Sequence, residues 1–182
     1  LLTTAGLKWG YNTRNLIVLQ ALDRYRHVVV AKNDAIDKDA GPLVGKGTAK
    51  SPFEISALPF SDSRNTATDG TKLLNKYTGC SSAVDETGPE VMYRLKLTKE
   101  TAIRALVVDA AGVDIDVHLL DNTATEAGCL ARDHRVIEGT VAAGTYYLSL
   151  DTFTKAGNEA SGEYLLIVVQ CDKGDPACNK QM

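Results

Sequence analysis

VMYRLKL at 91–97, IRALVV at 103–108, VDIDVHLL at 113–120, TVAAGTYYLSLDTF at 140–153 and GEYLLIVVQ at 162–170 are the runs whose reading decides the fold. Each is bounded by Gly, Asp, Asn or Thr clusters able to close a turn, which reads as a succession of β-strands. In the first run Val91, Tyr93, Leu95 and Leu97 point one way and Met92, Arg94 and Lys96 the other, because side chains alternate across a strand. One face is expected in a core and one in water. Val113, Ile115, Val117 and Leu119 repeat the pattern against Asp114, Asp116 and His118, and Tyr146, Leu148 and Leu150 do so again. The last run is apolar on both faces, which places it mid-sheet and covered on both sides. Short strands with closely spaced turn signals and no helical period between them predict an all-β, antiparallel two-sheet sandwich, jelly-roll-like, over 53–171.

These motifs also carry a family resemblance. GPEVMYRLKL, GVDIDVHLLDN, the Cys of GCLARD, AAGTYYLSLDTF and SGEYLLIVV, in that order, resemble the bacterial pre-peptidase C-terminal (PPC) domain from about Leu58 to Cys171. The resemblance implies a compact β-sandwich attached to a secreted hydrolase, itself non-catalytic, with relatives on collagenases that bind calcium and matrix polymer. It does not account for the residues that precede it.

Ahead of the sandwich, Val18, Leu19, Leu22, Tyr25 and Val29 follow a 3.6-residue repeat that Asn12 or Thr13 could cap. That describes an amphipathic helix over 13–31. The β-branched clusters in NLIVLQAL and HVVVAK leave two strands as the alternative. Residues 1–36 are thus expected as an N-terminal helical or extended appendage that packs on the sandwich or on another copy. Residues 37–52, DKDAGPLVGKGTAKSP, read as a linker or long loop. GPLVGKGT misses the spacing of a phosphate loop, since Lys46 is followed by Gly47 rather than Ser or Thr. The chain begins at Leu1 rather than Met, and we expect an upstream segment to have been removed.

At 182 residues, with 44% apolar and 24% charged residues and a net charge of −3, the composition is that of an ordinary globular protein. The charge leaves no footprint for nucleic acid. No run approaches the ~18 apolar residues needed to span a bilayer. Cys80, Cys129, Cys171 and Cys178 show no zinc spacing. They are read as two disulfides, hence an oxidising compartment, periplasmic or extracellular. Of the three possible pairings we favour Cys80 with Cys129 and Cys171 with Cys178, the second closing the tail at 172–182.

Catalysis is poorly supplied for. His27, His118 and His134 form no HExxH, and no GxSxG elbow is present. His118, on the outer face of its strand, is expected in solvent. Asp114 and Asp116, two apart on one strand face and ~7 Å from each other, are the candidate calcium ligands, since hard cations take carboxylate oxygens. Tyr147 and Phe153 are the candidate contacts for a partner, because aromatic rings offer large area at low entropic cost. The functional expectation is a non-catalytic secreted module, accessory to an extracellular hydrolase or surface assembly through polymer or protein binding. The alternative is a structural subunit of an extracellular assembly that uses residues 1–36 to contact other copies of itself.

Overall fold

The first strands that the sequence predicts also lay down the architecture. The computed structural model describes residues 43–80 and 84–182, so the expectations for 1–36, the helix over 13–31 among them, lie outside the described residues. The strands are β1 (Phe53–Ile55), β2 (Phe60–Asn65), β3 (Val91–Leu97), β4 (Thr101–Asp109), β5 (Ile115–Leu120), β6 (Cys129–Asp133), β7 (Val136–Val141), β8 (Gly144–Thr152), β9 (Thr154–Lys155), β10 (Asn158–Glu159) and β11 (Glu163–Gln170). One sheet runs β1-β3-β8-β5-β6 and the other β2-β11-β4-β7, with β9 and β10 as a small hairpin. Without β1, each sheet has four strands, and successive strands cross from sheet to sheet except at β5–β6. That order is a jelly roll. All pairings in the two sheets are antiparallel except β1 with β3.

The alternating residues of the sequence meet between the sheets. Val91, Tyr93, Leu95 and Leu97 of β3 and Ile115, Val117 and Leu119 of β5 pack with Ile103, Ala105 and Val107 of β4 and Tyr164, Leu166 and Val168 of β11. Burying one such side chain stabilises by about 1.5–3 kcal/mol, so this face fixes the register. Two tyrosines enter this core with their hydroxyls paired, Tyr93 Oη lying 2.8 Å from Tyr164 Oη and donating to Asp62 Oδ2 at 2.9 Å. The run at 163–170 is buried on both faces, as its double apolar pattern requires.

The outer face of the β3-β8-β5-β6 sheet departs from the reading of the sequence. Asp116 and His118 were placed on a wet face, yet both are buried, and so is Met92. The cause is a strap, described at 71–80 and 84–90, that lies over this face and builds a second apolar cluster of Leu74, Tyr77, Met92, Leu120 and Cys129. Within KLLNKYTGC only Thr78–Cys80 winds into a 3-10 turn. The strap is pinned by two carboxylates, one at its own end where it enters β3 and one from the turn before β6. Glu90 accepts from the Leu73 and Leu74 amides (3.0 and 3.4 Å) and from Thr71 Oγ1 (2.6 Å), while Glu126 Oε1 accepts from the Lys76 amide at 2.9 Å. The Cys80–Cys129 disulfide ties its middle to β6.

A second disulfide, Cys171–Cys178, follows β11. Beyond it the chain returns to β7, where the Thr140 amide donates to the Lys180 carbonyl (2.7 Å) and the Met182 amide to the Thr140 carbonyl (3.0 Å). The tail thereby occupies hydrogen-bonding positions on a sheet edge that would otherwise invite pairing with another chain. Arg104, on the outer face of β4, is sealed there between Glu138 and Asp175, at 2.7 and 2.9 Å.

Candidate functional site

Strand register converts the outer face of the β1-β3-β8-β5-β6 sheet into three rows. Glu54, Arg94, Tyr147, Leu120 and Cys129 lie across it in one row, Met92, Ser149, His118 and Arg132 in the next, and Asp151 and Asp116 in a third. The strap covers the second and third rows and the Leu120–Cys129 end of the first. Polar chemistry is concentrated beneath it.

His118 stacks on the Tyr77 ring with centroids 3.5 Å apart, and both are fully buried. Burial holds the imidazole down to a pKa of about 3, against the attraction of Asp116, so it is neutral in ordinary buffers. Tyr77 Oη donates to Asp151 Oδ2 and lies 2.9 Å from Ser149 Oγ. Burial raises the Asp151 carboxyl well above the usual range, while Tyr77 and the Thr152 amide oppose that rise. Glu86, from the strap, is pushed up to about 9, first by burial and then by the neighbouring Asp116 carboxylate, with Arg132 opposing. Arg132 Nη2 reaches Glu86 Oε1 (3.2 Å) and Asp116 Oδ2. Burial therefore favours the uncharged forms of Glu86, Asp151 and His118, the inexpensive way to bury them. Glu86, His118, Ser149 and Asp151 are all fully buried.

At the rim of this network the two predicted aspartates meet a histidine. Asp114, half-buried, precedes β5 and Asp116 lies within it, while His134 sits in the turn between β6 and β7. The His134 Nδ1 is 3.0 Å from Asp114 Oδ1 and 3.0 Å from Asp116 Oδ1, and the three potential ligand atoms lie within 4.8 Å of one another. Asp109 and Asp121, also at strand ends, serve locally: Asp109 Oδ2 accepts from the Ile115 amide and Asp121 Oδ1 from the Thr123 amide. Sequence reading missed His134, Arg132 and Glu86. Pairing VDIDVHLL with the following CLARD strand would have set His118 beside Arg132 and brought the turn at 134 to the start of β5.

Tyr147 and Phe153 are not brought together. Tyr147 stands half-buried on the outer face of β8, directly across from Arg94, which donates from Nε to Glu54 Oε2 at 3.0 Å. Lys96 and Thr145 form the next row outward, beyond the strap, with Lys96 exposed. Phe153 lies past the end of β8, six residues and about 20 Å along the strand direction from Tyr147. Its amide donates to the Asp114 carbonyl at 3.0 Å. The buried Ser149 and Asp151 separate the two aromatics.

No protein-family model and no curated protein sequence matches the chain. Among solved structures it is similar to the pre-peptidase C-terminal domain of a collagenase from Bacillus anthracis, at 15% identity and a TM-score of 0.43, over 63% of this chain and 91% of that one. This is the family that the strand motifs resemble. It is also similar to CBM35 from Cellvibrio japonicus Abf62, at 14% identity and a TM-score of 0.29, over 63% of this chain and 99% of that one. No residue role is carried over from either.

Proposed function

We propose that this chain is a non-catalytic secreted module, accessory to an extracellular hydrolase or surface assembly, which docks on an extracellular polymer through the open half of its five-stranded sheet. The observation that carries this reading is the boundary of the strap. It seals the rows of His118 and Asp151 and leaves the row Glu54–Arg94–Tyr147, with Lys96 and Thr145 beyond it, facing outward. A flat sheet face with one partly exposed ring beside a guanidinium suits an extended chain. The ring supplies contact area, and the cations and hydroxyls supply hydrogen bonds. The groups with acid–base capacity lie instead under the strap, which supports a binding rather than a catalytic role. Two disulfides support an oxidising, extracytoplasmic setting, and no described helix is long and apolar enough to cross a membrane.

The test is a depletion assay with insoluble collagen fibrils, chitin and cellulose, comparing the full chain with Tyr147→Ala and Arg94→Ala. Binding to at least one polymer, weakened about tenfold by Tyr147→Ala, which is about 1.4 kcal/mol, is the expected result. Wild-type and variant proteins that bind equally, or that bind none of the three polymers, would overturn the assignment to this face.

A further inference from the structure

We propose that Asp114, Asp116 and His134 form a binding site for a divalent cation of borderline softness, of the zinc class, rather than for calcium. The site is independent of the polymer-binding face. Calcium takes six to eight oxygen ligands and has little use for nitrogen. Here two carboxylate oxygens converge on an imidazole nitrogen 3.0 Å from each, a mixed donor set suited to zinc, cobalt or nickel. The half-exposed His134 leaves the outward side free for water, which would complete four-fold coordination.

One observation within the site points to a ligand. Asp114 Oδ1 is shut off from solvent and has no hydrogen-bond donor, although Nδ1 is so near. A single ring proton can serve one acceptor, and it serves Asp116 Oδ1. A carboxylate oxygen closed off from water and left without a donor is costly unless a ligand takes it up.

The three ligands are also held in place. Arg132 grips Asp116 by Oδ2, so Oδ1 stays turned to His134. Such an outer partner orients a metal ligand. The turn carrying His134 is fixed by Asp133 Oδ1, which accepts from the Arg135 and Val136 amides at 2.8 and 3.0 Å. The backbone of Asp114 is held on both sides, its amide by the Ala160 carbonyl and its carbonyl by the Phe153 amide. Arg132 pairs with Asp116 through Oδ2 and leaves the Oδ1 side to the cation. The nearby guanidinium weakens the site, and a micromolar dissociation constant is expected.

Calorimetric titration of the chelator-treated full chain with Zn²⁺, Co²⁺ and Ca²⁺ tests the assignment. Expected are one zinc bound per chain, a visible cobalt absorption band that zinc displaces, and no calcium heat in the same range. His134→Ala should weaken zinc at least tenfold and abolish the cobalt band; it also removes the partner of the buried Asp116 Oδ1, so a cooperative thermal transition in chelator, lowered by a few degrees, shows that the variant is still folded. The proposal fails if zinc and cobalt do not bind, if His134→Ala binds them as the wild type does, or if calcium binds as tightly as zinc.

Discussion

Tyr77→Phe removes one oxygen from the centre of the strap-covered network and leaves everything else in place. The ring that stacks on His118 is retained, as is its apolar contact with Leu74 and Met92. What disappears is the donor to Asp151 Oδ2 and the neighbour of Ser149 Oγ. Both residues are fully buried, so no water can take the place of the hydroxyl without opening the strap. Leaving a buried polar group without its partner costs about 1–3 kcal/mol, and a loss of about 2 kcal/mol is expected. For a protein of this size that lowers the thermal midpoint by roughly 6 °C. The pH dependence follows from the sign of the Asp151 shift. Its folded pKa is raised above the unfolded value, so its contribution is most favourable below the unfolded pKa and is lost as pH rises toward the folded one. Tyr77 opposes that rise. Without it the folded pKa climbs further, and the gap between wild type and variant should widen as pH increases. Urea unfolding at pH 4, 6, 8 and 9 reads both effects. Equal stability at all four values, or a gap that narrows with rising pH, would show that the hydroxyl does not support an acidic Asp151.

The disulfides should differ in weight. Cys80 and Cys129 are 49 residues apart and Cys171 and Cys178 only 7, which the chain-entropy model converts to roughly 4 and roughly 2 kcal/mol. The double variant Cys80→Ala with Cys129→Ala should therefore lose about twice the stability of Cys171→Ala with Cys178→Ala in denaturant melts. Glu126→Ala unclasps the strap, and we expect a loss of about 1 kcal/mol with faster hydrogen exchange at the Asn75 and Lys76 amides; unchanged exchange there would deny the clasp. His118, neutral down to about pH 3 when folded, makes stability full above its unfolded pKa and progressively lost as pH falls from there toward 3. His118→Phe should flatten the melting temperature across that window, and an unchanged acid limb would assign it to other groups.

Where the alternation rule succeeded and where it failed on this protein has a physical reason that can be read from particular side chains. The inner faces were legible because Val91, Tyr93, Leu95 and Leu97, and likewise Ile115, Val117 and Leu119, have no other place to bury themselves. The outer face was misread because it was assigned to water by default, as a sandwich usually allows. Its composition contradicted that default. Met92 and Leu120 are apolar residues on the supposedly wet side, and with Cys129 and the rings of Tyr77 and His118 they make a surface too apolar to leave exposed. Two rows away the same face carries Lys96 and Thr145, which need no cover and receive none. The edge of the strap thus falls where the outward residues change from apolar to charged, along the row of Arg94 and Tyr147. KLLNKY shows no strand or helix period of its own, because it is shaped by the face beneath it and by the Glu90 and Glu126 carboxylates. His134 was missed for a related reason. Asp114 and Asp116 are legible on one strand face, but His134 fits no helical metal-ligand spacing and stands apart from them in the sequence, whereas an antiparallel β5–β6 pair gathers ligands from the start of one strand and the turn after the next. A search of all-β sequences for His and Asp residues should therefore run along hairpin register, where 114, 116 and 134 become neighbours before any coordinate is known.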